Sequence, residues 1–238
     1  MDYFYCSPEN ITGTSLIIDG EEFTHLVHVM RKKEGDEIRV VDGRGSAYDV
    51  RLGEIRKKMV HATIHRVHER HHEPQRDVTV AVGILKNPSK FDFLVEKVTE
   101  LGVNRVVPLL TERTIPHHAK IERWQKLALA AMKQCGRAHL PAVENLTPLS
   151  EFLSRQSNAN LRLVAHEKSD TVLSVDKLLD GRQRSIVLLI GPEGGFSEEE
   201  VELSIKAGFT PISLGERRLR TETAATVLAA LSLMLPAP

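Results

Sequence analysis

At 238 residues, with 41% hydrophobic and 27% charged positions, the chain has the composition of a folded globular protein, long enough for a large core or two domains. Lys plus Arg and Asp plus Glu are equal at 32 each, so the overall charge points to no polyanionic partner and only local clusters can. No apolar stretch reaches a membrane span, the amino end (Met1 to Cys6) lacks the basic and apolar regions of a signal peptide, and Cys6 and Cys135 form no Cys-x-x-Cys pair. A cytoplasmic protein without membrane association, disulfide framework or cysteine zinc site is expected.

The first seventy or so residues read as several short strands around one helix. Leu16-Ile17-Ile18 is a strand, and Glu21 to Lys33 places Phe23, Leu26, Val27 and Met30 on one helical stripe. After a turn at Gly35-Asp36, residues 38–41, 47–52 and 60–67 follow as strands, with Asp42-Gly43-Arg44-Gly45 as a loop. This pattern suggests a small barrel. Arg31-Lys32-Lys33 and Arg56-Lys57-Lys58 are short basic runs, each a solvated cluster or a nucleic-acid contact. The histidines at 61, 65, 68, 71 and 72 raise a metal site, but no carboxylate or cysteine joins them at ligand spacing, and none is expected. The polar run Glu69 to Asp77, with Pro74, marks a linker between domains 1–72 and 73–238.

From Val78 strands and helices alternate. Residues 78–85 form a strand, Pro88 to Leu101 a helix with Phe91, Leu94, Val95 and Val98 on one face, and 103–110 the next strand. Helices at 120–134 and 148–155, a strand at 161–165 and a short helix near 175–179 follow. The order predicts a mostly parallel sheet covered by helices on both faces. Ser185 to Ile190 is an apolar run of strand length and composition, and it breaks into Gly191-Pro192-Glu193-Gly194-Gly195. Ser197 with Glu200 reads as a capping box opening a helix that Gly208 closes. A second strand, Thr210 to Leu214, passes through Gly215 and Arg217-Arg218-Leu219-Arg220 into an apolar helix from Thr221 to about Leu235. The two turns are expected side by side at the carboxyl ends of neighbouring strands, where open α/β sheets bind ligands.

Gly191-Pro192-Glu193-Gly194-Gly195-Phe196-Ser197, followed by Leu214-Gly215-x-Arg217-x-Leu219-Arg220-x-Glu222-Thr223-Ala224, resembles the RsmE family of 16S ribosomal RNA methyltransferases, members of the SPOUT class that methylate uridine at N3. The resemblance implies S-adenosylmethionine as methyl donor, a SPOUT-type α/β domain with a C-terminal trefoil knot, a preceding PUA-like β-barrel that binds RNA, and a homodimer acting on 16S ribosomal RNA or the small ribosomal subunit. The knot comes from the resemblance alone, because chain-threading rules disfavour it. Ile190, Gly191, Glu193, Gly194, Gly195, Leu214, Gly215 and Leu219 are the implied cofactor contacts. Arg31, Lys32, Lys33, Arg113 and Arg137 are RNA-binding candidates. Lys133, Cys135 and Arg218 stand where the family commonly has Glu, Ser and an apolar residue.

Uracil N3 carries a proton, so transfer needs a base or a positive group for the charge left on the ring. Arg220 is the candidate for the charge, and Glu222 or Glu193 for the base or for a ligand to the cofactor's positive end. The structural alternative is that Arg220 and Glu222 pair with each other or cap the last helix. Two other functions compete: RNA binding without chemistry, which gives no reason for both glycine turns, and a phosphate-binding small-molecule enzyme, which gives none for the barrel.

Overall fold

The structure is a computed structural model and describes residues 2–155, 159–167 and 184–234. The short helix expected near 175–179 lies outside the described residues. By compactness the chain divides into Met1–Glu73 with Leu129–Leu140, and Pro74–Ala128 with Pro141–Pro238.

In the first unit β1 (Tyr3–Tyr5), β2 (Ile11–Thr12), β3 (Ser15–Asp19), β4 (Glu37–Val41), β5 (Ala47–Ile55) and β6 (Met59–His68) form one sheet in the order β1-β4-β5-β6-β3-β2. All its ladders are antiparallel except β1 with β4. Period-two alternation turns Leu16, Ile18, Ile38, Val40, Val50, Leu52, Val60 and Ala62 onto one buried core with Phe4, Phe23 and Leu26. Helix α1 (Gly20–Thr24) widens into a π-type turn over His25–Val29. It ends before the expected Lys33, because Arg31 takes a left-handed backbone (φ 54°) and carries the basic run out of the helix.

The sequence reading places Leu129–Leu140 in the second domain, yet these residues belong to the first unit. Met132 and Ala138 share a core with Val41 and Ala47, Gly45 N–H donates to the Ala138 carbonyl, and Leu140 N–H to that of Gly43. Glu73 fixes the segment. Its carboxylate accepts from Arg137 Nη2 at 2.7 Å and from the backbone N–H groups of Ala138 and His139 at 3.0 and 2.8 Å. Lys133, where the family pattern differs, forms an ion pair with Glu22.

The second unit carries a sheet of β7 (Asp77–Gly83), β8 (Arg105–Leu110), β9 (Ala142–Val143), β10 (Thr147–Pro148), β11 (Leu161–Ala165), β12 (Ser185–Ile190) and β13 (Thr210–Ile212). Its order is β10-β8-β7-β12-β11-β13, with β9 also on β8, and every ladder is parallel. Helix α2 (Pro88–Leu101) is capped by Asn87, whose side chain accepts from Ser89 N–H, and closed by left-handed Gly102. Helix α3 (Ile121–Cys135), α4 (Leu149–Ser154), α5 (Glu198–Lys206) and α6 (Thr221–Met234) complete the order. Helices α2 and α6 pack on each other, and α6 lies on β7 and β12. Residues Val187 and Leu189 of β12 point instead into a core with Phe152 and Leu153 of α4, Val201 of α5 and Phe209. A strand buried on both faces therefore has apolar residues throughout, as its composition requires.

In the first unit Asp49 accepts from Arg39 Nε at 2.7 Å and lies 2.7 Å from His68 Nε2. The Arg39 hydrogen bond holds its carboxyl down at about 2, opposed by burial and aided by His68. Its native value is below the ordinary value of about 3.9, so the stability it contributes is complete above pH ~4 and lost as pH falls towards 2. Asp49→Asn is expected to flatten the acid limb of denaturation over that window; equal slopes for the two proteins, followed by circular dichroism, would contradict this.

Candidate functional site

The site grows out of the end of β12. Gly195 N–H donates to the Pro192 carbonyl at 2.9 Å, closing a turn that folds the backbone onto itself. A Cβ on Gly191 would stand 2.9 Å from the Gly195 carbonyl carbon and 3.0 Å from the Phe196 nitrogen, so this glycine serves the turn's own closure. One on Gly194 would press on the side chain of Arg113 at 3.2 Å. Of the three glycines of this turn, Gly195, at φ 70° with nothing within 4 Å, is the one with open space over it. The turn rests on Gly83 at the end of β7, where a Cβ would meet Pro192 Cδ at 2.5 Å.

The helix after the turn starts as its sequence predicts. Ser197 Oγ accepts from Glu200 N–H, and Glu200 Oε2 accepts from Ser197 N–H at 3.0 Å, while its other oxygen accepts from Glu112 N–H at 2.8 Å. One buried carboxylate thus caps α5 and anchors the loop after β8. The second turn is tied to the first by Thr221, whose Oγ1 donates to the Gly191 carbonyl at 3.0 Å. The strands feeding the two turns are not neighbours, because β11 pairs with both β12 and β13. Sheet order is decided by pairing far apart in sequence, and closeness along the chain does not report it.

The carboxyl ends of β11, β12 and β13 with the first turn of α6 enclose a cavity of about 330 Å³. All eight residues implied as cofactor contacts line it, together with Arg220 and Glu222. Glu193 is exposed and accepts from Lys86 N–H at 3.1 Å. Arg218 is 71% exposed and pairs with Glu167 at 3.3 Å, and both side chains line the cavity together with Leu219. Arg220 is exposed and has no ion-pair partner among the described residues. Glu222 is only 8% exposed and pairs not with Arg220 but with Lys90, whose Nζ lies 3.9 Å from Oε1. Its Oε2 is buried and meets no hydrogen-bond donor among the described residues.

The RNA-binding candidates fare differently. Arg31 and Lys33 are exposed and Lys32 half-buried, with Lys32 Nζ 3.8 Å from Asp2. Arg113 is exposed beside the cavity and donates to the Gly194 carbonyl at 2.9 Å. Arg137 is a correction: at 3% exposure its guanidinium is committed to Glu73 and not presented to a ligand. Sequence reasoning also missed the wall made by Ala165, His166 and Glu167 after β11, and it missed Lys90. The strand 161–165 was legible, but its place between the two turns was not. Lys90 carries the only available signal, a charge in the first turn of a helix following a strand.

A cavity of this size suits a small-molecule ligand with a charged end. Space is open at Gly195 and Gly215, and a buried carboxylate oxygen stands without a donor, so the residues present fit such a group.

Comparison with known proteins bears on its identity. The family described as RNA methyltransferase domain matches residues 71–233, and that described as RNA methyltransferase PUA domain matches 18–64. The ribosomal RNA small subunit methyltransferase E of Synechocystis sp. is 32% identical over 93% of this chain and 73% of its own length. That of Bacillus subtilis is 30% identical over 87% and 85%. Among solved structures, the ribosomal RNA small subunit methyltransferase E of Neisseria gonorrhoeae bound to S-adenosyl methionine superposes with TM-score 0.86 at 31% identity, covering 97% of this chain and 95% of that one. A methyltransferase of Legionella pneumophila in complex with the same cofactor gives 0.83 at 31%, covering 96% of each chain.

The crowding at Gly191 makes a stability prediction. Gly191→Ala is expected to cost about 1–3 kcal/mol, because the new methyl meets backbone that cannot step aside. Gly195→Ala meets no atom and is expected to cost only its left-handed strain, about 1–2 kcal/mol. Urea denaturation of the two variants checks this, and a neutral Gly191→Ala would refute the packing argument.

Proposed function

The chain belongs to the RNA methyltransferase family, and from that premise we propose that it transfers a methyl group from S-adenosylmethionine to N3 of a uridine in 16S ribosomal RNA of the small subunit. The observation that carries this reading is the convergence, in one cavity, of both glycine turns with Arg220 and Glu222. S-adenosylmethionine supplies, when bound, a methyl carbon activated by its positive sulfur. Ile190 and Leu219 make apolar walls for it, and the turns around Gly195 and Gly215 let it approach the backbone. Arg220, free of any carboxylate among the described residues, stabilises the negative charge that spreads onto the ring oxygens as N3 loses its proton. Glu222 accepts that proton.

Arg31, Lys32 and Lys33 in the first unit and Arg113 beside the cavity are the proposed phosphate contacts. The trefoil knot and a cytoplasmic setting belong to the same reading. Among the described residues, no helix is long and apolar enough to cross a membrane. A homodimer is part of it as well: α2 and α6 leave Phe93 and Met234 exposed, and Val227 and Leu231 only half-buried.

Calorimetry is expected to give a binding heat for S-adenosylmethionine, and its absence in folded protein would remove the reading. In single-turnover transfer to small-subunit RNA, Arg220→Ala is expected to lower the rate by about 10²-fold with cofactor affinity and melting temperature unchanged. A wild-type rate would end its catalytic role. Light scattering at micromolar concentration should return twice the chain mass of 26.6 kDa, and a monomeric mass would exclude the dimer.

A further inference from the structure

The cavity wall holds a second charge in an unusual setting. Glu222 lies in the first turn of α6 and Lys90 in the first turn of α2, and both side chains line the cavity. Glu222 is buried, and its Oε2 meets no hydrogen-bond donor among the described residues. Lys90 Nζ, at 3.9 Å from Oε1, is its ion-pair partner. Removing one partner of a largely buried ion pair strands the other charge and is destabilising. A pair built only for stability would satisfy both oxygens. This one stands at the limit of ion-pair distance and leaves one oxygen unmet, in the wall of the cavity that the proposed reaction uses.

We propose that Lys90 is a positioning residue for methyl transfer: as ion-pair partner of Glu222 it holds that carboxylate in place in the cavity wall, so that Glu222 can receive the proton leaving N3. The proposal rests on the methyltransferase reading above. The N3 proton passes to the Glu222 carboxylate, and the N3 electron pair forms the bond to the methyl carbon. The electron pair of the methyl–sulfur bond stays on sulfur, which leaves neutral. Glu222 then returns its proton to water.

Two double-mutant cycles on Lys90→Met and Glu222→Gln test it, one in melting temperature without ligand and one in single-turnover transfer. Lys90→Met alone is expected to lower the melting temperature by about 5 °C or more, and adding Glu222→Gln to recover most of that loss, because the stranded charge is gone. Lys90→Met is expected to slow transfer by about tenfold or more with calorimetric affinity for S-adenosylmethionine unchanged. The double variant should be no slower than Glu222→Gln alone, and Lys90→Arg should keep most of the rate. Additive effects in either cycle, a wild-type rate in Lys90→Met, or lost cofactor affinity in that variant would overturn the proposal. A Lys90→Met chain too unstable to isolate still decides the matter through the double variant, which folds if Lys90 serves Glu222 and fails if it serves the fold alone. Wild-type protein that neither binds the cofactor nor transfers a methyl group overturns the methyltransferase reading itself, and this proposal with it.

Discussion

The second unit depends on how its most buried strand ends. Strand β12 has β7 on one side and β11 on the other, and helices cover both its faces, so the chain must leave it abruptly. It does so through a turn so tight that the backbone of Gly195 and Phe196 occupies the place of a Cβ on Gly191. The turn is then held from three sides. Gly83 receives Pro192, Glu200 joins the cap of α5 to the loop after β8, and Thr221 ties the start of α6 to the Gly191 carbonyl. Each tie fixes backbone at or near the cavity, which is how a preorganised site is built.

Charge in the cavity follows from the same construction. With Arg218 paired to Glu167 and Arg113 holding the Gly194 carbonyl, Arg220 is left at the rim without a carboxylate among the described residues. Glu222, one helical position inside Thr221, is carried inward with it and finds Lys90 of α2. The two candidate catalytic groups are therefore separated by the helix start. They do not pair with each other among the described residues.

The first unit uses buried charge differently. Glu73 and Arg137, sealed together with two backbone N–H groups added, spend their hydrogen bonds on holding Leu129–Leu140 against the sheet. The Glu73 carboxylate is met by a guanidinium and two backbone N–H groups, whereas Glu222 Oε2 is buried with no donor among the described residues.

Local chemistry was legible in the residues themselves. The capping box at Ser197 and Glu200, the Pro88 to Leu101 helix, and the unbroken apolar run of β12 each depend on atoms a few positions apart, so the sequence by itself determined them. The glycine turns marked the cavity for the same reason. What only the tertiary structure decided is everything that depends on distant pairing. The insertion of β11 between β12 and β13, the return of Leu129–Leu140 to the first unit, the burial of Arg137 and the meeting of Lys90 with Glu222 join residues far apart in sequence. No local preference records such a partner, because the free energy that selects it belongs to the assembled core and not to either segment.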